Sequence, residues 1–171
     1  MLTTGAKLFR TSNRCGFLLT SDIVTLGVMT SEQTAHPDRK HRTHLRVRYA
    51  ETDQMGVVYH ANYLIWMEVG RVELVRSRGF NYKDLEDTEG LFLTVVEAKC
   101  RYHSPARYDQ EITVQTEVLT ANPRLIEFAY EIRSIHPDCL LVTGSTRHIW
   151  LNREWRPTRL PVTYSDLLRL R

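Results

Sequence analysis

From His44 onward the chain settles into regular alternation. The stretch HLRVRYAE sets Leu45, Val47 and Tyr49 against Arg46 and Arg48, the period-two pattern of a half-buried strand. TDQMGVVYHAN then breaks the alternation at Gly56 and leads into a helix expected from about Tyr63 to Arg78. On a 3.6-residue period Tyr63, Trp66, Met67, Gly70 and Leu74 share one stripe, with Glu68, Arg71, Val75 and Arg78 on the far side. So broad a stripe calls for something to wrap the helix. A short helix over Tyr82 to Asp87 is followed by the strand FLTVVEAKCRY, and then by EITVQTEVLT and LIEFAYEIRS. In the last two, Ile112, Val114, Thr116 and Val118, and likewise Ile126, Phe128, Tyr130 and Ile132, share a face. ANPR between them reads as a hairpin connection. A last strand is expected from about Leu140 to Leu151, and PVTYSDLLRL as a terminal helix. Strand, long helix, then four closely connected strands predict an α+β architecture, an antiparallel sheet curled around one helix.

Residues 1–43 lack such a period and end in the polar run SEQTAHPDRKHR, so they are expected to form a flexible extension to a domain over 44–171. The first 21 residues carry Lys7, Arg10 and Arg14 without an acid, a transit-peptide composition; translation from Met29, or a plain unstructured tail, are the alternatives. The length of 171 residues suits one domain. Hydrophobic residues at 42% and charged residues at 25% exclude a wholly disordered chain. The apolar run Val57 to Met67 contains His60 and Asn62 and falls short of a membrane span. Six Lys/Arg face three Asp/Glu in residues 1–43, whereas 17 face 17 in 44–171, so the folded part is neutral and no nucleic-acid partner is expected. Cys15, Cys100 and Cys139 form no CxxC pair and read as reduced thiols, which points to a cytoplasmic protein.

The chemistry concentrates in RYAETDQMGVVYHANY, Arg48 to Tyr63. Asp53 stands seven positions before His60, across a glycine-containing turn that ends where the long helix begins. A helix start leaves backbone N–H groups unpaired and carries partial positive charge, so an acyl oxygen gaining negative charge can be held there. Asp53 is then placed to attack the acyl group or to activate a water. The residues alone leave another reading open: Asp53 as a turn or cap residue, with His60, Tyr59, Asn62 and Tyr63 packing or capping.

The whole string RYAETDQMGVVYHANYLIWME, with the later YHSPARYDQEITVQTEV, resembles the 4-hydroxybenzoyl-CoA thioesterase family of hotdog-fold enzymes, particularly its YbgC-like acyl-CoA thioesterase branch. The resemblance covers about residues 44–161, and Glu68, Arg71 and Glu73 fit it as well. It implies a hotdog fold, with the sheet as bun and helix 63–78 as sausage. It also implies a homodimer with a continuous sheet, often paired into a homotetramer, and active sites at the dimer interface. Asp53 matches the catalytic carboxylate, and the His60 backbone N–H matches the oxyanion donor. Family members vary at the His60 position, so the likeness carries over the amide and leaves the imidazole either orienting water or thioester or without a chemical task. Gly56 allows the loop to approach the thioester. Val57, Tyr59, Asn62 and Tyr63 complete the expected substrate-binding segment.

Glu73 is a further candidate base, since a related hotdog subgroup uses a helix glutamate, and Glu68 is expected to pair with Arg71. CoA phosphates call for basic residues at the mouth of the site; Arg124 in the hairpin is the candidate, with Lys99, Arg101 and Arg107 as alternatives. The expected activity is hydrolysis of an acyl-CoA to free acid and CoA, without metal or redox cofactor. An acyl carrier protein is the alternative carrier of the thioester. A hotdog dehydratase, a non-catalytic acyl-CoA-binding protein and a structural role in envelope organisation are the rivals.

Overall fold

The computed structural model describes residues 40–79 and 81–164. Five antiparallel strands, β1 (Lys40–Arg46), β2 (Phe92–Tyr102), β3 (Glu111–Ala121), β4 (Leu125–Ser134) and β5 (Cys139–Leu151), form one sheet in the order β1-β3-β4-β5-β2. Two helices, α1 (Asn62–Ser77) and α2 (Tyr82–Glu89), lie between β1 and β2 in sequence. The long helix lies against one face of the curved sheet, as the hydrophobic pattern predicts. β2 and β4 occupy the expected residues. β1 begins at Lys40, four residues ahead of the expected domain start. The rest of the expected extension, and all but the first turn of the expected terminal helix, lie outside the described residues.

Alternation on β3 and β4 makes the inner face: Ile112, Val114, Val118, Ile126, Phe128 and Ile132 are fully buried or nearly so. Val114 stands opposite Ile132, and Ile132 opposite Val142 on β5, so the register lays apolar rows across the sheet. α1 presses onto this face through Tyr63, Trp66, Met67, Gly70 and Leu74. The approach is close at Gly70, where an added Cβ would stand 2.5 Å from Thr116 Oγ1 and 2.8 Å from Val114 Cγ1. Glycine there is a packing requirement. Each fully buried Leu, Met or Phe contributes about 1.5–3 kcal/mol by removal from water.

Four readings of the chain need correction. The first strand, expected to run through Tyr49 to Glu51, ends at Arg46, and Tyr49 lies exposed in the 3-10 turn Tyr49–Glu51 because the Glu51 carboxylate folds back onto the Arg48 N–H. Val75, placed on the far side of α1 by the helical wheel, is fully buried. It joins the same hydrophobic cluster as Leu85 of α2, so the chain that follows α1 covers a flank the wheel left outside. The ion pair on α1 joins Glu73 to Arg76, not Glu68 to Arg71. Arg71 lies over the Tyr82 ring instead, 5.5 Å from its centroid, because α2 brings an aromatic face within reach. Finally, Cys100 is a free thiol whereas Cys139 is disulfide-bonded. Spacing in sequence carries no information on which cysteines approach in space, and the argument for a reducing compartment loses that support.

Candidate active site

The segment between β1 and α1 is built around a buried carboxylate. Glu51 is 5% exposed. Its side chain accepts the Arg48 backbone N–H at 2.7 Å, the Arg48 guanidinium at 2.8 Å and the Trp66 indole N–H at 3.0 Å. Burial works to raise the Glu51 pKa, but the Arg48 and Trp66 hydrogen bonds outweigh it and hold the carboxyl below its ordinary range. The Glu51 carbonyl accepts from the Tyr59 N–H at 2.9 Å and from the Asn62 side-chain amide at 2.7 Å. Glu51 therefore ties both ends of the intervening loop to the start of α1.

Inside that tie the chain makes a tight turn. The Asp53 N–H donates to the Val57 carbonyl at 2.8 Å, and the Gly56 N–H to the Asp53 carbonyl at 2.9 Å. Gly56 adopts φ +73°, a left-handed conformation that glycine takes without a Cβ penalty. Asp53 Oδ1 accepts the Met55 N–H at 2.8 Å, which fixes the carboxylate and leaves Oδ2 for other partners. The local reading of Asp53 as a turn residue thus holds alongside any chemical role.

At the helix entry the Tyr59 carbonyl accepts the Asn62 N–H at 2.9 Å, and the Ala61 carbonyl accepts the Leu64 N–H at 3.1 Å. Among the described residues nothing accepts the N–H of His60, so this donor stands open at the positive end of α1. Tyr102, at the end of β2, donates its hydroxyl to the His60 carbonyl at 3.1 Å and steadies the His60–Ala61 peptide. Its phenol is pushed up to about 12, first by desolvation and then by the neighbouring Cys100 thiol, and stays protonated.

These parts meet in a pocket of about 300 Å³ lined by Asp53, Val57, His60, Tyr63, Tyr102 and Ser104, among others. Of the residues singled out in the sequence, it brings together Asp53, Val57, His60 and Tyr63. Tyr59 packs against the His60 ring at a tilt of 55°, with centroids 4.3 Å apart, outside the lining. Gly56 forms the turn behind it, and Asn62 is spent on the Glu51 carbonyl. Arg124 lies in the β3–β4 turn, at the opposite end of β3 from the Asp53 loop, and does not reach the pocket within this chain. Arg107 does lie beside the loop, its guanidinium 3.4 Å from the Gly56 carbonyl. Sequence reasoning missed Glu51, Tyr102 and the stretch His103 to Pro105, which arrive from non-neighbouring segments. Only Glu51 carried a signal, an acid on a strand side otherwise given to the core. Among the described residues no three His, Cys, Asp or Glu side chains come together as metal ligands. A carboxylate and an open N–H donor lining one pocket suit the hydrolysis of an acyl compound.

Comparison with known proteins agrees with that geometry. The thioesterase superfamily model matches residues 55–140, a span that includes His60 and Tyr63 and begins two residues after Asp53. The chain is 37% identical over 123 residues to the provisionally named acyl-CoA thioesterase YneP of Bacillus subtilis, covering 71% of this chain and 88% of that one. It is 34% identical to the acyl-CoA thioester hydrolase YbgC of Escherichia coli, over 52% of this chain and 65% of that protein. Among solved structures, a DHNA-CoA thioesterase from Staphylococcus aureus superposes with a TM-score of 0.70 at 34% identity, over 74% of this chain and 85% of that one. With its antiparallel sheet wrapped on a long helix in the hotdog manner, and with matches of this extent, the chain belongs to the thioesterase superfamily.

Proposed function

We propose that this protein hydrolyses acyl-CoA thioesters to the free acid and CoA. The observation that carries the reading is the convergence of the Asp53 carboxylate and the open His60 N–H on one pocket. The thioester carbonyl oxygen accepts from the His60 N–H, where negative charge developing at the helix start is stabilised. Asp53 either attacks the carbonyl carbon and forms a mixed anhydride that water then cleaves, or takes a proton from the water that attacks. Both routes expel the CoA thiolate, which leaves as the thiol. The names of the relatives, acyl-CoA thioesterase and acyl-CoA thioester hydrolase, support this substrate class. An acyl carrier protein presents the same thioester and is the second reading, favoured by relatives named acyl-acyl carrier protein thioesterases at 28% and 29% identity.

The working unit in this reading is a homodimer or a homotetramer built from such dimers. β2 is a long edge strand with Val95 and Val96 half exposed beside Glu97, Lys99 and Arg101, and the opposite edge, β1, carries Lys40, Arg42 and Arg46 without an exposed apolar pair. A two-fold partner along β2 covers Val95 and Val96 and closes a pocket that one chain leaves open. Arg107 in this chain, with Arg124 supplied from a neighbour, offers positive charge to the CoA phosphates.

The test is a panel of aliphatic and aromatic acyl-CoAs, with acyl carrier protein conjugates alongside, followed by a thiol-detecting reagent. Release of thiol dependent on the protein supports the reading, and its absence across the panel overturns it. Sedimentation under assay conditions addresses the assembly: a fully active monomer rules out the dimer-dependent site.

A further inference from the structure

One group in the pocket has hydrogen-bonding capacity that neither the fold nor the Asp53 and His60 roles consume. Tyr63 is 2% exposed and lines the pocket from the first turn of α1. Its ring is clamped edge-on between Trp66, at 4.9 Å between centroids, and Tyr102, at 5.5 Å. Its hydroxyl oxygen accepts the Ala106 N–H at 2.9 Å. A phenol carries one hydrogen to donate besides its lone pairs, and among the described residues nothing accepts it. Burial pushes the Tyr63 phenol up, so this hydrogen is retained throughout the neutral range.

We propose that the Tyr63 hydroxyl donates a hydrogen bond to the carbonyl oxygen of the bound thioester, as a second donor beside the His60 N–H; the inference rests on the thioesterase reading. Side chains in the first turn of a helix lean toward its N-terminus, which directs Tyr63 back toward the His60 amide. The chemistry of the pocket then sorts the reactants. A thioester carbonyl can only accept, so it belongs with the two donors, whereas an attacking water must give up a proton and belongs with Asp53. The Ala106 N–H that enters the phenol oxygen polarises its O–H and strengthens the bond it donates.

The experiment compares two non-hydrolysable CoA ligands by calorimetry on the full-length protein. One is a ketone analogue with CH₂ in place of the thioester sulfur, and the other is a thioether with the carbonyl replaced by CH₂. The wild type is expected to bind the ketone at least about tenfold more tightly, and Tyr63→Phe to erase most of that difference while leaving thioether affinity within about threefold. Turnover of the best panel substrate by Tyr63→Phe is expected to fall roughly 10- to 100-fold, mainly in kcat. Tyr63→Phe also strips the Ala106 N–H of its acceptor. Difluorotyrosine at position 63 keeps that acceptor and the O–H, acidifies the phenol, and should add a basic limb to ketone binding at the new pKa. Equal affinity of the wild type for the two ligands, an unchanged ketone preference in Tyr63→Phe, or a fluorotyrosine protein without the limb each overturns the proposal. A preference for the ketone that depends on Tyr63, in a protein that turns over no acyl-CoA, would uphold the donor and sink only the hydrolase reading.

Discussion

His60 and His148 mark two polar clusters of the molecule, and the contrast between them shows what distinguishes a site from polar groups enclosed in the core. His60 is exposed at the rim of the pocket, beside a fixed carboxylate and an open backbone donor. His148 has no exposure at all. It ends a buried chain in which the Tyr130 hydroxyl meets Thr146 Oγ1 at 2.7 Å and Thr146 Oγ1 meets His148 Nε2 at 2.8 Å, while His148 Nδ1 is buried without a hydrogen-bond partner among the described residues. Burial first, and the Arg71 guanidinium second, push the His148 pKa down to about 4, so its imidazole is neutral in the folded protein at physiological pH. Both clusters place polar groups within a largely apolar interior. Among the described residues the first opens onto a pocket, where its spare donors and acceptors face a space that a substrate can fill, whereas the spare His148 Nδ1 stays enclosed in the core.

The sharpest break in the comparison is Asp53→Asn. Asn is nearly isosteric and its side-chain oxygen still accepts the Met55 N–H, but it is neither nucleophile nor base. Turnover is expected to fall roughly 10²- to 10⁴-fold with melting temperature nearly unchanged. Steady-state kinetics alongside a thermal melt checks this, and near-normal hydrolysis would remove Asp53 from the chemistry.

At the sealed cluster the expected effect is on stability. The unfolded His148 titrates near its ordinary value of about 6.5 while the folded one is held down to about 4, so the unfolded state binds the proton first. The contribution is complete above the unfolded pKa and is lost as pH falls toward the folded one, about 3 kcal/mol in all. His148→Gln keeps a partner for Thr146 and does not titrate. Urea unfolding at pH 7 and pH 4.5 should therefore show a smaller acid loss for the variant than for the wild type, and equal losses would contradict the sealed-neutral assignment. Turnover at pH 7 per folded molecule should be unaffected, in contrast to the first cluster.

A third substitution probes the tie between loop and helix. The partners of the Glu51 carboxylate are all donors, so the amide of Glu51→Gln offers one acceptor oxygen and turns its NH₂ toward them. A loss of about 2 kcal/mol is expected, smaller than the His148 effect in acid. The loosened Asp53 loop should also lower kcat by several-fold. Denaturant titration with kinetics on the same sample measures both, and a full loss of stability without any change in kcat would show that Glu51 supports the fold and not the loop.

Periodicity along the chain determined β3, β4, the long helix and most of the face each one buries, because alternation and 3.6-residue spacing are local properties that burial against any partner selects. The motif from Arg48 to Tyr63 likewise contained Asp53, the turn at Gly56 and the His60 amide within one contiguous stretch, where backbone geometry alone brings them near each other. Tertiary structure decided the rest. Tyr102 reaches the His60 carbonyl from a strand 42 residues away, and the Ala106 N–H meets Tyr63 across 43 residues. Arg71 leaves its expected partner for Tyr82, and Val75 is buried by chain that no helical wheel includes. Arg124, plausible by its charge, ends up far from Asp53 because β3 extends between them. Such pairings depend on sheet order and on the placing of whole elements, and a one-dimensional pattern does not encode the distance between residues that the chain brings back together.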